Sequence, residues 1–394
     1  MSQRHRALIS TMLALLTVAG VGAAATGHRL AACELEAPVV ASCRVVTVHG
    51  LVGSEKVAFF TDPRVVARFR SHGLEVSVEP AGSRAMRCAD PAHYDFAFPG
   101  SRWAAEAVER TAVARGLPAR PVSTVLESPV VVVTFADVEK ALTDRHVVVD
   151  RRFLLDRYLD DVVAHGVRWR DLGLTAPYPV QQRAVLMSTR LDTSNSAESY
   201  LVLAAAAAGR GRPLGQLDQG VHDRLVGLFR AEGSAGRTSE EPFAQYLSPD
   251  GYQLPMQVAY EQQFVGAAQH GTVPGTVVHA PDTGDEVRLA RTMLYPTPSI
   301  VSRHTVAPLS AWGEEVAGAL RDDPELRRLA AARGFRAPGH VSEFLDALGP
   351  AAPALHVLAD VGPTVPDPPE VELSDLVSTV ATEVYGQDAA HVCT

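Results

Sequence analysis

Runs of β-branched and apolar residues alternate along the chain with segments of helical periodicity. Cys43–Val52 is a strand pattern that ends in a Gly-Ser-Glu corner, and Lys56–His72 follows with helical spacing. Leu74–Glu79 alternates as a second strand, and Val130–Phe135 is a continuous apolar run typical of a buried strand. Connections tens of residues long favour parallel pairing. The pattern therefore predicts an α/β fold with a largely parallel sheet covered by helices.

A second unit of the same kind follows. We predict a strand at Gln182–Thr189, an alanine-rich helix at Ala197–Ala208 and a strand at Pro255–Glu261. Thr292–Tyr295 is expected to be a strand that returns to the first domain. The sequence therefore predicts two domains.

The C-terminal part is helical and then rich in proline. Leu309–Leu320 and Pro324–Arg333 have amphipathic spacing, and prolines become frequent beyond Gly349. A last helix, Leu373–Val384, is expected to pack back on the body.

The N-terminus has the pattern of an export or anchoring signal. Arg4-His5-Arg6 precedes an uncharged run, Ala7 to Gly27, which is about as long as the ~20 residues that a membrane-spanning helix needs. Leu30-Ala31-Ala32-Cys33 also resembles a lipobox, in which Cys33 would be lipidated. A retained anchor within residues 1–32 is the first interpretation, a lipoprotein the second and free secretion the third. All three predict an extracytoplasmic body, and the basic start agrees with that orientation.

Composition narrows the choice of partner. The 394 residues suffice for two domains, and 46% hydrophobic with 21% charged residues is typical of a globular body. A net charge of −9 argues against binding nucleic acid or an anionic membrane surface.

Four cysteines are present: Cys33, Cys43, Cys88 and Cys393. An exported chain permits disulfides. A Cys43–Cys88 bridge is one pairing, and Cys33–Cys43 with a loose Cys393 is another, because spacing alone does not set connectivity. No metal-binding spacing such as C-x-x-C occurs.

Small polar turns follow several predicted strands. Open α/β sheets bind ligands at the carboxyl ends of their strands, where hydroxyls and helix N–H groups suit an anion or carboxylate. Plain helix capping is the alternative explanation for each turn. Tyr260 ends a strand and is expected to line the same cleft. The predicted ligand-binding residues are Ser54, Glu55, Ser83, Ser101, Ser194, Asn195, Ser196 and Tyr260.

Signals of catalysis or of cofactor binding are weak. The sequence has no G-x-S-x-G, H-E-x-x-H or P-loop motif, and its fourteen histidines lack ligand spacing. We therefore predict no catalytic residue, no metal and no cofactor, and we interpret the histidines as surface or satisfied core residues. Arg84, Arg102 and Arg190 follow the turns and are candidates to counter an anionic ligand.

Six short motifs follow one another along the chain: Gly53-Ser54-Glu55-Lys56, Ala81-Gly82-Ser83-Arg84, Tyr94 to Pro99, Thr193 to Ser196, Tyr260-Glu261 and Leu294 to Pro298. Their order resembles that in actinobacterial extracellular solute-binding proteins. These are similar to type 2 periplasmic binding proteins, the receptors of ABC importers. The resemblance covers roughly Cys43 to Arg336.

The resemblance implies two α/β lobes joined by two crossover strands, with a small ligand held between them. We predict lobe one at 43–135 plus 291–348, lobe two at 136–290 and a Pro-rich tail at 349–394. The implied partners are a small molecule and an ABC permease or another envelope protein. The anchor and the tail depart from the pattern of importer receptors.

Two other functions stay open. One is a cell-envelope interaction protein with the same fold and no transport role, which a tail packed into the cleft would favour. The other is a transferase or hydrolase, which needs a general base within hydrogen-bond distance of a serine.

Overall fold

The computed structural model describes residues 33–36, 40–43, 45–233, 236, 238–271, 273, 275–279 and 286–386. The predicted anchor at residues 1–32 and the side chain of Cys33 lie outside these residues. Within the described ranges, none of the helices combines the length and the apolar character needed to cross a membrane.

The described strands are β1 Cys33–Glu36, β2 Val40–Cys43, β3 Val46–Val52, β4 Leu74–Pro80, β5 Phe96–Phe98, β6 Ser123–Phe135, β7 Val148–Val149, β8 Arg152–Leu154, β9 Gln257–Tyr260, β10 Thr276–His279, β11 Glu286–Leu289, β12 Arg291–Thr297 and β13 Val301–Pro308.

The described α-helices are α1 Val57–Phe60, α2 Pro63–Ser71, α3 Ser83–Met86, α4 Arg102–Ala114, α5 Ala136–Asp144, α6 Leu155–Arg157, α7 Asn195–Ala208, α8 Gln219–Glu232, α9 Glu240–Leu247, α10 Glu261–Gln269, α11 Ala311–Asp322, α12 Pro324–Ala331, α13 Val341–Leu348, α14 Ala351–Ala354 and α15 Glu370–Tyr385. Residues 158–163 form a π-helical segment, and short 3-10 turns include Ser54–Lys56, Leu214–Gln216 and Gly251–Gln253.

The main sheet is mixed. Its strand order is β4-β3-β5-β13-β6-β12-β8-β7, and β9 also pairs with β6. Strands β3, β4 and β5 are parallel, as predicted, but β6 is antiparallel to β9, β12 and β13. The expectation of a largely parallel sheet is therefore wrong, because long antiparallel strands run through its middle.

Strand β6 connects two hydrophobic cores. Its first part pairs with β13, and its last part, from Val130, pairs with β9 and β12. We call the elements around one of these cores and a smaller core beside it (β3–β5, β13, α1–α4, α11 and α12) the first half, and those around the other (β7–β9, β12 and α5–α10) the second half. Because one strand serves both, rotation about β6 and its partners would move one half against the other.

Local chemistry explains where the helices begin. The predicted helix at Lys56–His72 is divided, because Asp62 accepts a hydrogen bond from the Arg64 N–H and Pro63 occupies the first position of α2. Ser101 caps α4 in the same way, accepting from the Ala104 N–H at 3.3 Å.

The predicted strand at Gln182–Thr189 does not form. The segment makes only isolated bridges, such as Met187 with Gln257. Side chains satisfy part of its backbone instead: the Leu186 N–H donates to the Tyr158 hydroxyl at 2.7 Å, and the Ser188 N–H donates to Glu232 at 2.6 Å. Strand β13, by contrast, was not predicted.

The chain beyond Gly349 packs on the body. The predicted helix Leu373–Val384 is observed as α15, which contacts α4, α7 and α8. Its buried residues Leu373, Val377, Val380 and Ala381 belong to the core of the second half.

Cys88, on the turn after α3, is in a disulfide bond. The Cys43–Cys88 and Cys33–Cys43 pairings stay predictions.

Candidate functional site

The turns of the first half meet at one edge of the sheet. Strands β3, β4 and β5 are parallel, so their carboxyl ends bring together the turns that begin at Gly53, Ala81 and Pro99. The Gly100 N–H donates to the Ser83 hydroxyl at 3.0 Å, which ties the second of these turns to the third.

Side chains of the second half contact this edge directly. The Asn195 side-chain amide, at the start of α7, donates to the Tyr260 hydroxyl at 2.9 Å and lies 3.3 Å from the Ser302 hydroxyl. Ser302, on β13, in turn donates to the Gly100 carbonyl. Residues of both halves therefore form one buried hydrogen-bonded group, which we call the inter-half site: Ser83, Gly100, Asn195, Tyr260 and Ser302.

Backbone proximity shows how closely the halves approach. A Cβ at Gly100 would lie 3.0 Å from the Asn195 side-chain nitrogen, and a Cβ at Gly82 would lie 2.6 Å from the Thr193 carbonyl. Only glycine allows this separation without displacement of a neighbour, so the structure has the two halves closed on each other.

A buried charged group adjoins the site. The fully buried Lys56 ammonium donates to the Glu55 carboxylate and lies 4.9 Å from the centre of the Phe98 ring. His304 Nδ1 is 3.5 Å from the same carboxylate, and its ring stacks edge-on to Tyr260 at 5.5 Å. Glu55 thus sits between a lysine and a histidine.

A second buried ion pair joins the halves. The Arg84 guanidinium, on α3, contacts the Glu198 carboxylate of α7 at 2.7 Å, and the Trp103 indole N–H donates to the other Glu198 oxygen at 3.0 Å. Arg84 and Glu198 are both buried. Removing either charge alone would leave the other buried without compensation.

Burial sets the protonation of these groups. It lowers the pKa of His304 well below its usual value, and the neighbouring Lys56 cation lowers it further, so His304 is neutral at pH 7. Burial also lowers the pKa of Lys56, an effect that Glu55 opposes. Burial raises the pKa of Glu240, against the hydrogen bond from Gln263 and with the Glu55 carboxylate adding to the shift.

Several buried polar atoms of the described residues have no hydrogen-bond partner. Among the described residues, neither ring nitrogen of His304 has a hydrogen-bond partner, and the same is true of Asn195 Oδ1 and Arg84 Nε. Buried polar atoms are normally paired with protein, water or ligand. The site can therefore accept and donate further hydrogen bonds.

The predicted residues have different surroundings. Glu55, Ser83, Asn195 and Tyr260 lie at or beside the inter-half site. Ser54 is half-buried in the turn after β3.

The other predicted serines interact with protein. Ser101 caps α4, and Ser194 and Ser196 bond each other at 3.0 Å, with Ser196 also 2.8 Å from the Thr189 hydroxyl. Ser194 begins α7 without a side-chain cap hydrogen bond.

The three candidate arginines all face protein carboxylates: Arg84 faces Glu198, Arg102 faces Glu106 and Arg190 faces Asp192.

Sequence analysis missed the contributions of Lys56, Trp103, Glu198, Ser302 and His304. The interpretation of every histidine as a surface or satisfied residue is wrong for His304. The strand carries no apolar alternation that would have revealed His304, because the polar residues Ser302 and His304 occupy its buried positions. Only the fold brings Glu198 and Trp103 to the site, so no local pattern could have identified them.

Within the described ranges, no group of three His, Cys, Asp or Glu side chains is arranged to hold a metal ion. A small cavity lies between α3, α4, α7 and α15, beside the Arg84–Glu198 pair. It is lined in part by Ser83, Trp103, Glu370 and Leu373.

No protein-family model matches this chain. No curated protein matches it either. Solved structures do resemble it. Iron-bound HitA from Pseudomonas aeruginosa aligns over 86% of this chain and 99% of its own, with 14% identity and a TM-score of 0.52.

A second similar structure is the periplasmic binding protein AfuA from Actinobacillus pleuropneumoniae, with fructose-6-phosphate bound. It aligns over 86% of this chain and 98% of its own, with 11% identity and a TM-score of 0.50. At these identities the likeness shows the fold: the chain has the two-lobe α/β architecture of periplasmic binding proteins, as expected.

Proposed function

We propose that this protein is an extracytoplasmic solute-binding protein, without enzymatic activity, that captures a small ligand between its two halves by hinge closure. The similar structures support the proposal because they share the fold. HitA was solved with iron and AfuA with fructose-6-phosphate. We retain the predicted lobes, 43–135 plus 291–348 and 136–290, as part of the proposal, except that β12 packs in the core of the second half and not of the first.

One observation carries it. Polar side chains from separate turns of both halves converge in a buried group, and Asn195 Oδ1 and both His304 nitrogens there lack partners among the described residues. A merely structural interface would leave few such atoms, because each costs about 1–3 kcal/mol when buried and unpaired. A ligand or water held between the halves would satisfy them.

We expect a polar, anionic or partly anionic ligand. Lys56 and Arg84 already face Glu55 and Glu198, so neither cation is available without rearrangement. The start of α7, where Ser194 makes no side-chain cap, remains as a positive helix terminus at the cleft. Ser54, Ser83, Ser101, Ser194, Ser196 and Tyr260 complete the proposed lining.

The topology supports hinge closure. Strand β6 runs through both halves, and ligand contacts to both would stabilise the closed arrangement over an open one. The Arg84–Glu198 pair holds the halves together, so entry of a ligand between them requires this contact to open.

The chemistry of the site does not favour an enzyme. A serine hydrolase needs a general base that accepts the serine proton. Ser302 donates to the Gly100 carbonyl, and His304, two residues along β13, bonds no serine in the described part of the chain.

The N-terminal segment completes the proposal. We propose that residues 1–32 anchor the protein to the membrane, as a retained helix or through lipidation of Cys33, and that an ABC permease or another envelope protein is its partner. Labelling with a lipid precursor and mass measurement of the mature N-terminus would decide between these anchors.

A thermal-shift screen of oxyanions, amino acids, sugars and metal chelates on the purified protein tests ligand binding. A compound present at 100 times its Kd stabilises the folded state by about 2.7 kcal/mol. Asn195→Ala and Tyr260→Phe should reduce the ligand-induced shift of any hit, since both remove groups at the inter-half site.

Tyr246→Phe is the matched control. Tyr246 is as buried as Tyr260, but its hydroxyl donates to the Thr134 carbonyl, away from the cleft. The proposal fails if no compound shifts the melting temperature, or if Tyr260→Phe and Tyr246→Phe leave the shift equally intact.

One observation favours a second function. Helix α15 packs beside the cleft, and the halves bond each other directly, as expected of a cell-envelope interaction protein whose cleft is permanently filled. A screen without hits, together with envelope partners crosslinked to the folded surface, would support that function instead.

A further inference from the structure

The segment 349–386, here called the tail, crosses the hinge before it reaches the cleft. The Ser299 N–H donates to the Pro363 carbonyl and the Val365 N–H to the Ser299 carbonyl, which fixes the tail beside the loop between β12 and β13. Asp367 then contacts Arg303 of β13 at 2.7 Å. The tail therefore follows the strands about which the halves would move.

Helix α15 is held firmly by the second half. Its apolar face, which includes Leu373 and Val377, is buried against α7 and α8. The Glu372 carboxylate accepts from the Gly215 N–H at 3.0 Å, and Glu383 contacts His222 of α8 at 2.8 Å. These contacts run along the helix and would survive separation of the halves.

The first turn of α15 reaches across to the first half. One Glu370 oxygen lies 2.8 Å from Arg110 of α4, and the other lies 4.0 Å from Arg87, directly after α3. Beneath this turn is the small cavity beside Arg84, Trp103 and Glu198. Glu370 thus joins the halves at the outer side of that cavity.

We propose that α15 is a strap that holds the two halves closed and must release Glu370 before a ligand can enter the cleft. This inference rests on the proposed function, since the strap would regulate the access of a ligand to the inter-half site. The Glu370 pairs are partly exposed, with Arg110 51% exposed, so they are weak and easily released, unlike the buried Arg84–Glu198 pair. The buried Arg84–Glu198 pair favours the closed state. The Glu370 contacts of the strap add to it, and added salt or a change in surface charge would weaken them.

Hydrogen exchange of the ligand-free, full-length protein tests the strap. Glu370→Arg places a third cation beside Arg87 and Arg110, so α3 and the start of α7 should exchange faster, by roughly two- to fivefold for the loss of a pair of this kind. Glu383→Gln is the matched control, because Glu383 lies on the same helix but contacts only the second half. It should leave exchange at α3 unchanged.

A charge reversal checks the pairing itself. The double variant Glu370→Arg, Arg110→Glu restores opposite charges at the 2.8 Å contact and should return exchange toward the wild-type rate. High salt should accelerate exchange in the wild type, where it screens an attraction, and slow it in Glu370→Arg, where it screens a repulsion. Equal exchange in the wild type and Glu370→Arg, or no return in the double variant, would overturn the strap.

The two proposals fail in different ways. If the strap is right and the ligand proposal is wrong, Glu370→Arg opens the halves but no compound in the thermal-shift screen stabilises it. If the strap is wrong, the exchange rates do not change, whatever the screen shows.

Discussion

Glu232, at the end of α8, shows what burial does to one carboxyl group. Burial raises its pKa from 4.5 to about 8, against hydrogen bonds from Ser188, so the group is protonated in the folded protein at neutral pH. A folded-state pKa above the unfolded one contributes stability below pH 4.5 that is lost as pH rises toward 8. Glu232→Gln mimics the protonated form and removes this loss.

We expect Glu232→Gln to match the wild type near pH 5 and to exceed it at pH 8, by roughly 3 kcal/mol in free energy of unfolding. Calorimetry at the two pH values measures the difference, with the exposed Glu315→Gln as control. A difference between Glu232→Gln and the wild type that is the same at both pH values would show that Glu232 does not titrate in this range.

The two lysines of the chain give a matched pair for a second test. Lys56 is fully buried against Glu55, whereas Lys140 is exposed and pairs with Asp144. Lys56→Met leaves a buried carboxylate without its cation and should cost about 3 kcal/mol, but Lys140→Met should cost under about 0.5 kcal/mol. Denaturant unfolding measures both, and the double variant Glu55→Gln, Lys56→Met should recover much of the loss. Equal effects of the two lysine variants would contradict the ion-pair assignment.

At the scale of single residues, the sequence located part of the candidate site. Glu55, Ser83, Asn195 and Tyr260 follow predicted strands and lie at or beside the inter-half site. It could not predict the arginine contacts, because whether Arg84 meets a ligand or Glu198 depends on how two distant helices approach. Similarly, Ser101 and Ser196 are of the residue type found in binding turns, but both bond protein groups. Ser101 caps α4, and Ser196 bonds the hydroxyls of Ser194 and Thr189.

At the scale of elements, hydrophobic periodicity predicted a strand or helix correctly where one face of the segment is buried. It found β3, β4 and α15 because their apolar residues repeat at the spacing of a strand or helix. It failed at Gln182–Thr189, whose apolar residues are buried in an irregular segment stabilised by Tyr158 and Glu232. It missed β13, where Ser302 and His304 occupy buried positions and hide the alternation.

Helix α15 also allows a test of whether the tail folds with the body. Leu373 is buried at 2% exposure, and Val371, two residues earlier, is 67% exposed. Leu373→Ala should destabilise the whole protein by about 2–4 kcal/mol in a single transition, whereas Val371→Ala should change it little. A separate, earlier transition of the tail in calorimetry would instead show that α15 melts independently.

At the scale of the whole molecule, the closed arrangement depends on glycines at the contact between the halves. Gly82 has φ −64° and ψ 142°, which any residue adopts, so alanine there causes no local strain. Its Cβ would nevertheless lie 2.6 Å from the Thr193 carbonyl of the second half. Gly82→Ala therefore acts on the separation of the halves rather than on the fold of either one.

We expect Gly82→Ala to destabilise the closed form by about 1–3 kcal/mol, as overpacking does elsewhere, and to shift the protein toward an open arrangement. Small-angle scattering should then give a larger radius of gyration, and the start of α7 should exchange its amide hydrogens faster. Gly227→Ala is the control, since that glycine lies on the exposed side of α8 with no atom within 4 Å of the added Cβ. If both variants scatter as the wild type does, the halves do not close through the Gly82 contact, and hinge closure around the inter-half site loses its structural basis.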